Sequence, residues 1–136
     1  MKSTLLLLFL TALSLLSFGQ EISLSAEDYN NSGAMKLKFG AELSQVQEFA
    51  QQDIEKGIAF LLIQSGYAPE VYSTDKLFEA TFGVFYYEQG CVAPDSEMMQ
   101  TYNIEVFEYL DRVYGKKWRR SIRRDVIGFK EWKKKN

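Results

Sequence analysis

The chain has 136 residues, a net charge of −2, 46% hydrophobic and 25% charged residues, which is the composition of one globular domain. It contains no histidine, so Ser-His-Asp and Cys-His catalysis and every histidine-containing metal site are excluded. A single cysteine excludes an intramolecular disulfide, so stability has to come from the apolar core.

The N-terminus has the pattern of an export signal. Lys2 precedes a leucine-rich apolar run that is shorter than the roughly 18–20 residues of a membrane span. Ser17 and Gly19 are small residues at the spacing that a signal peptidase requires. We therefore predict a signal peptide over 1–19, no membrane span after its removal, and a mature chain that is exported to the periplasm or secreted. A retained membrane anchor is the alternative.

The beginning of the mature chain combines a loop, a strand and a helix. Residues 20–33 are polar and predict a flexible segment. Met35, Leu37 and Phe39 alternate with lysines, which indicates a short strand with one solvated face. Apolar residues recur at three- and four-residue steps over 41–56, so an amphipathic helix that ends at a glycine is predicted there.

The middle of the chain has the pattern of a βαβ unit. Residues 58–63 are an unbroken apolar run between glycines, which is typical of a strand buried on both faces. Residues 73–75 cap a short helix that extends to about residue 82, and 84–87 are rich in residues that suit a strand. A helix between two strands over this length predicts that the strands are parallel.

The last third of the chain is predicted to be helical. The clearest helix begins after Asp95 and ends at Tyr114, because its apolar residues fall within one half of the helical wheel. A further helical segment is predicted over 116–127, and 129–136 are predicted to be a basic tail. The fold class is therefore α/β (or α+β), a small single domain over 34–128 with one βαβ unit, a sheet of two or three strands, and C-terminal helices packed on it.

Charge is divided unevenly along the chain. Residues 20–111 carry a net charge of −12, and residues 112–136 carry +9. This asymmetry indicates either that the basic segment packs on the acidic body or that it contacts an anionic partner. The candidate binding residues all lie on the predicted last helix, and they are Trp118, Arg119, Arg120, Arg123 and Arg124. A solvated helix face is the alternative.

Cys91 is the candidate reactive group. It follows a predicted parallel strand, where open sheets commonly place their sites, and it precedes a helix N-terminus, whose positive end favours a thiolate. Its predicted neighbours are Tyr86, Tyr87 and Asp95. No histidine is present to act as its base, and lone cysteines are usually small buried residues.

Three further polar features have structural interpretations. Asp125 lies among apolar positions of the predicted last helix and should form an ion pair with an arginine. Asn103 should form a buried hydrogen bond. The segment from Asp28 to Gly33 begins like a calcium-binding loop, but Phe39 stands where the bidentate glutamate is needed. We therefore predict no metal and no cofactor.

Two functional hypotheses follow from these features. The first is a small exported non-enzymatic module whose basic C-terminal helix contacts a protein or an anionic envelope component. Export argues against nucleic acid as the partner. The second is a small thiol-dependent enzyme or redox partner that uses Cys91.

Overall fold

The structure, a computed structural model, describes residues 23–136. The predicted signal peptide over 1–19 and residues 20–22 lie outside the described residues. The described helices are Ala26–Asn30 (α1), Gly33–Lys36 (α2), Val46–Glu55 (α3), Asp75–Phe82 (α4), Ser96–Tyr114 (α5) and Phe129–Lys135 (α6). The described strands are Phe60–Ile63 (β1) and Phe85–Glu88 (β2), and short 3₁₀ helices cover Leu43–Gln45 and Lys117–Arg120. The mixed helix and strand content confirms the predicted fold class.

The βαβ prediction is confirmed. Strands β1 and β2 pair in parallel, with Phe60 opposite Phe85 and Ile63 opposite Glu88, and α4 connects them. All four residues of β1 are buried, as expected for an apolar run covered on both faces. Gly83 follows helix α4 with a φ of 65°, a left-handed conformation that glycine adopts without the steric cost of a side chain. The carboxyl ends of both strands therefore lie at the same edge of the sheet.

Helix α5 is the central element, as its long apolar arc predicts. Its N-cap is Asp95, whose carboxylate accepts a hydrogen bond of 2.8 Å from the Glu97 backbone N–H. The helix packs against α3 and β1. Its fully buried face supplies Met99, Tyr102, Asn103, Val106, Phe107 and Leu110. The core of the domain therefore lies between α5, α3 and the sheet.

The predicted strand over residues 35–39 is wrong, and the predicted loop before it is partly helical. Helix α2 occupies this position because Asp53, which is fully buried on α3, accepts hydrogen bonds from the backbone N–H groups of Gly33 (2.8 Å) and Ala34 (3.0 Å). Ser32 caps the same helix by accepting from the Met35 N–H at 3.2 Å. The carboxylate of a residue distant in sequence therefore accepts hydrogen bonds from the first-turn N–H groups of α2. This contact, and not the local alternation of apolar residues and lysines, decides the structure of the segment.

The predicted helix over 116–127 is also wrong. After the 3₁₀ helix, the chain continues in turns rather than in a helix, and Val126 forms an isolated antiparallel bridge with Ile63 of β1. The Ile127 N–H donates to the Leu62 carbonyl oxygen at 3.2 Å. This segment takes its hydrogen bonds from the free edge of β1, because that edge would otherwise remain unpaired in the interior. Over residues 23–136, the sheet thus has two strands and one added bridge.

Residues 129–136 are not a loose tail but contain α6. Phe129 and Trp132, one turn apart, are both buried against Phe107 and Trp118, with ring centroids 5.1–5.9 Å apart. Burying two large aromatic side chains stabilises the helix by several kcal/mol, which outweighs the repulsion among its exposed lysines (roughly 0.2–0.5 kcal/mol per pair). Gly128 begins the helix with a φ of 79°. The basic residues are consequently held on an ordered surface.

Candidate functional site

Two of the predicted binding residues, Trp118 and Arg119, are buried rather than presented to a partner. The Asp111 carboxylate of α5 accepts hydrogen bonds of 3.0 Å from the Trp118 indole N–H and from the Arg119 Nε–H, and it pairs with the Arg119 terminal nitrogen as well. The Arg119 guanidinium also lies 4.7 Å from the centre of the Trp132 ring. Burial raises the pKa of Asp111, but the Arg119 and Trp118 hydrogen bonds outweigh it and hold that pKa below its usual value. These residues fasten the C-terminal segment to α5.

Arg123, another predicted binding residue, is also committed internally. Its guanidinium contacts both Asp125 oxygens (3.0 and 2.6 Å), the Glu70 carbonyl oxygen (2.7 Å), Asp75 Oδ2 (3.2 Å) and Glu88 Oε1 (3.0 Å). Four of these contacts are hydrogen bonds and the one with Glu88 is an ion pair, so all three guanidinium nitrogens are engaged within the protein. The structure thus places Arg123 inside a cluster of carboxylates that require a cation, and its predicted contact with a partner stays a prediction.

The Arg123 cluster closes the carboxyl edge of the sheet. Glu88 is the last residue of β2, and Asp75 begins α4. The phenol oxygen of Tyr86 on β2 accepts a hydrogen bond of 3.0 Å from the Arg123 backbone N–H, and burial raises the pKa of this phenol. The cluster therefore joins four separate parts of the chain at the position where open parallel sheets commonly bind ligands.

The two residues with predicted structural roles make internal contacts. Asp125 lies against Arg123, and the hydrogen bonds from that guanidinium hold the pKa of Asp125 below its usual value. The buried Asn103 side chain accepts from the Leu62 N–H (2.8 Å) and donates to the carbonyl oxygens of Leu62 and Ile127 (both 2.9 Å). Its amide therefore bridges β1 and the segment beside it.

Exposed cationic side chains converge on a different surface. A groove of about 620 Å³ is lined by Arg124, Phe129, Lys130, Lys133 and Lys134. The three lysines occupy one face of α6 because they are three and four residues apart. Within residues 23–136, none of the four cations forms an ion pair. We call this surface the cationic groove. Of the predicted binding residues, Arg124 lies in it, and Arg120 is exposed on the 3₁₀ helix outside it.

The sequence prediction missed the lysines of the cationic groove by assigning them to a tail. A signal was present, because Phe129 and Trp132 are three residues apart in an otherwise charged segment. Two aromatic residues at that spacing indicate one buried helical face and hence an opposite, ordered, basic face. The sequence also contains no local signal for the buried Asp53, whose partners are about 20 residues away in the chain on one side and 49 on the other.

Cys91 is exposed in the turn that follows β2. The polar groups of its predicted neighbours are engaged elsewhere. Tyr86 accepts from the Arg123 backbone, the Tyr87 hydroxyl contacts Lys38 Nζ at 2.9 Å, and Asp95 caps α5. These three residues therefore use their polar groups in contacts with residues other than Cys91.

Comparison with known proteins gives no match to a family model, a curated protein or a solved structure. Among residues 23–136, no helix combines the length and apolar character needed to cross a bilayer.

Proposed function

We propose that this protein is an exported, non-enzymatic binding module that contacts an anionic partner through the cationic groove. The observation that carries the proposal is the convergence of four exposed cations, Arg124, Lys130, Lys133 and Lys134, on one groove without ion pairs to the rest of the described chain. The partner is either an acidic protein surface or an anionic envelope component.

The electrostatics of the chain support this proposal. Lys130 lies three and four residues before Lys133 and Lys134 on α6, so the like charges repel each other. The C-terminal end of the helix dipole offsets part of this repulsion for the lysines in the last turn. Arg124 receives no such compensation, because it comes from a segment outside the helix. A bound polyanion would neutralise all four charges, and its release of counterions would make binding weaken steeply with salt.

A pair of charge-matched double variants tests the proposal. In K130Q/K133Q two charges of the groove are neutralised, and in K56Q/K76Q two exposed lysines elsewhere are neutralised, so both variants have the same net charge. Affinities for inorganic polyphosphate, hyaluronan and poly-glutamate are measured by fluorescence anisotropy at several salt concentrations. At about 1 kcal/mol per cation, K130Q/K133Q should weaken binding roughly 30-fold.

The control variant and a cysteine variant complete this experiment. K56Q/K76Q should bind like the parent chain, because its charges lie outside the groove. Equal weakening by the two double variants would show that net charge, and not the groove, decides binding. Cys91→Ser should leave affinity unchanged, and a loss with that variant would favour the thiol hypothesis. Export is tested by the intact mass of the protein recovered outside the cytoplasm, which should begin at Gln20.

A further inference from the structure

The cationic groove adjoins a second cleft, and Arg124 lines both. This second cleft has a volume of about 300 Å³, which is at the lower end of the range for small-ligand pockets. Its lining residues are Tyr72, Thr74, Ser121, Ile122, Arg123, Arg124 and Asp125. We call it the hydroxyl cleft. The two clefts together offer an extended site rather than a single anion pocket.

The hydroxyl cleft differs in charge from the groove. Asp125 and Arg123 lie in it as a bonded pair, and the Arg123 hydrogen bonds hold the pKa of Asp125 below its usual value, so these two charges offset each other. Arg124 adds a positive charge without an ion pair in the described chain, and it stands where the two clefts meet. Beyond Arg124, the cleft therefore suits a polar but uncharged group.

Hydroxyl groups and an aromatic ring complete the lining. The Thr74 hydroxyl makes no capping hydrogen bond to α4, although Thr74 stands at its N-cap. The Ser121 hydroxyl makes only a long hydrogen bond, 3.3 Å, to the Trp118 carbonyl oxygen. Tyr72 is 46% exposed, and the Arg123 guanidinium lies 4.7 Å from its ring centre. Hydroxyl groups beside an exposed aromatic ring match the alternating polar groups and C–H faces of a sugar.

We infer that the hydroxyl cleft is a subsite for a neutral sugar unit, and that the partner is an acidic polysaccharide in which charged and uncharged sugars alternate. This inference rests on the proposed function, because the cationic groove holds the acidic units. The two tryptophans of the C-terminal segment are buried, since Trp118 is 0% exposed and Trp132 8% exposed. Neither ring is available to stack on a nucleobase or to insert into a membrane interface.

The experiment compares a polyanion that contains sugars with one that does not. Hyaluronan, which alternates a carboxylate-bearing sugar with an uncharged one, and inorganic polyphosphate are titrated against the full chain and against T74V/S121A. Both substituted side chains are exposed, and tryptophan fluorescence checks that the variant is folded. T74V/S121A should lose about five- to tenfold in hyaluronan affinity, the value of one or two hydrogen bonds, and none for polyphosphate.

The outcomes separate this inference from the proposed function. Under the inference, K130Q/K133Q weakens binding to both polymers, and T74V/S121A weakens only hyaluronan. If polyphosphate binds and hyaluronan does not, or if T74V/S121A affects both polymers equally or neither, the groove still binds anions but the sugar subsite is refuted. If poly-glutamate alone binds, the partner is an acidic protein and the inference is also refuted. If none of the polymers binds, both proposals fail.

Discussion

Replacing Arg123 by methionine is the most demanding test of the structure. The substitution keeps a long side chain but removes the cation that pairs with Asp75, Glu88 and Asp125 in the described part of the chain. It also removes the hydrogen bond to the Glu70 carbonyl oxygen, which attaches the loop after β1 to the C-terminal segment. Arg123→Met should therefore reduce stability without affecting the cationic groove directly.

The burial of each partner sets the size of the effect. The side chains of Arg123, Asp75 and Glu88 are 6%, 9% and 11% exposed, so removing the cation leaves two buried carboxylates without their counter-charge. Breaking a buried ion pair in this way costs about 3–5 kcal/mol. The Asp125 side chain is 42% exposed and can be rehydrated, so its pair adds less than about 1 kcal/mol. The expected loss is a large part of the roughly 5–15 kcal/mol of a typical domain.

The assay is urea unfolding followed by the fluorescence of the buried tryptophans. Arg124→Met is the matched control, because the neighbouring exposed arginine forms no ion pair within the described chain, and it should change stability by no more than about 0.5 kcal/mol. A loss of under about 1 kcal/mol would refute the assignment of Arg123 as the buried counter-charge.

Two further substitutions test other parts of the fold. A Cβ at Gly33 would lie 2.6 Å from both the Phe49 Cβ and the Phe49 carbonyl oxygen, so Gly33→Ala should lower the free energy of unfolding by about 1–3 kcal/mol. Gly66→Ala is the control, because a Cβ there meets open space and should not lower the free energy of unfolding. Equal thermal midpoints for the two variants would contradict the close packing of α2 on α3. The pKa of Asp111 is lowered in the folded protein, so its contribution is present above the unfolded value near about 3.9 and is lost as pH falls through the folded pKa. Asp111→Asn should therefore have a lower urea midpoint than the parent at pH 7, and this difference should shrink as the pH falls below about 4; a difference that does not change with pH would contradict the Asp111–Arg119 pairing.

The candidate site was only partly predictable from sequence. The concentration of positive charge after residue 112 is visible in composition and directs attention to the C-terminal segment. The sequence did not show which arginines are exposed. Arg119 and Arg123, which are buried, cannot be distinguished by residue type from Arg120 and Arg124, which are exposed. Their carboxylate partners, among them Asp111 and Asp75, lie 8 and 48 residues away in the chain, so only folding brings them together.

The spacing of apolar residues was sufficient to predict the structure of a segment where its tertiary contacts favour the same backbone conformation as its local hydrogen bonds. The apolar residues of α5 recur with the period of a helix, and the short apolar run of β1 is typical of a buried strand. Both elements could therefore be predicted from the sequence. Residues 35–39 and 116–127 have patterns just as regular, but distant groups decide their structure. Asp53 accepts hydrogen bonds from the first turn of α2, and the segment around Val126 pairs with the otherwise open edge of β1. Each buried backbone N–H and C=O group needs a hydrogen-bond partner. For these two segments, that partner is distant in sequence and is in place only once the rest of the chain has folded.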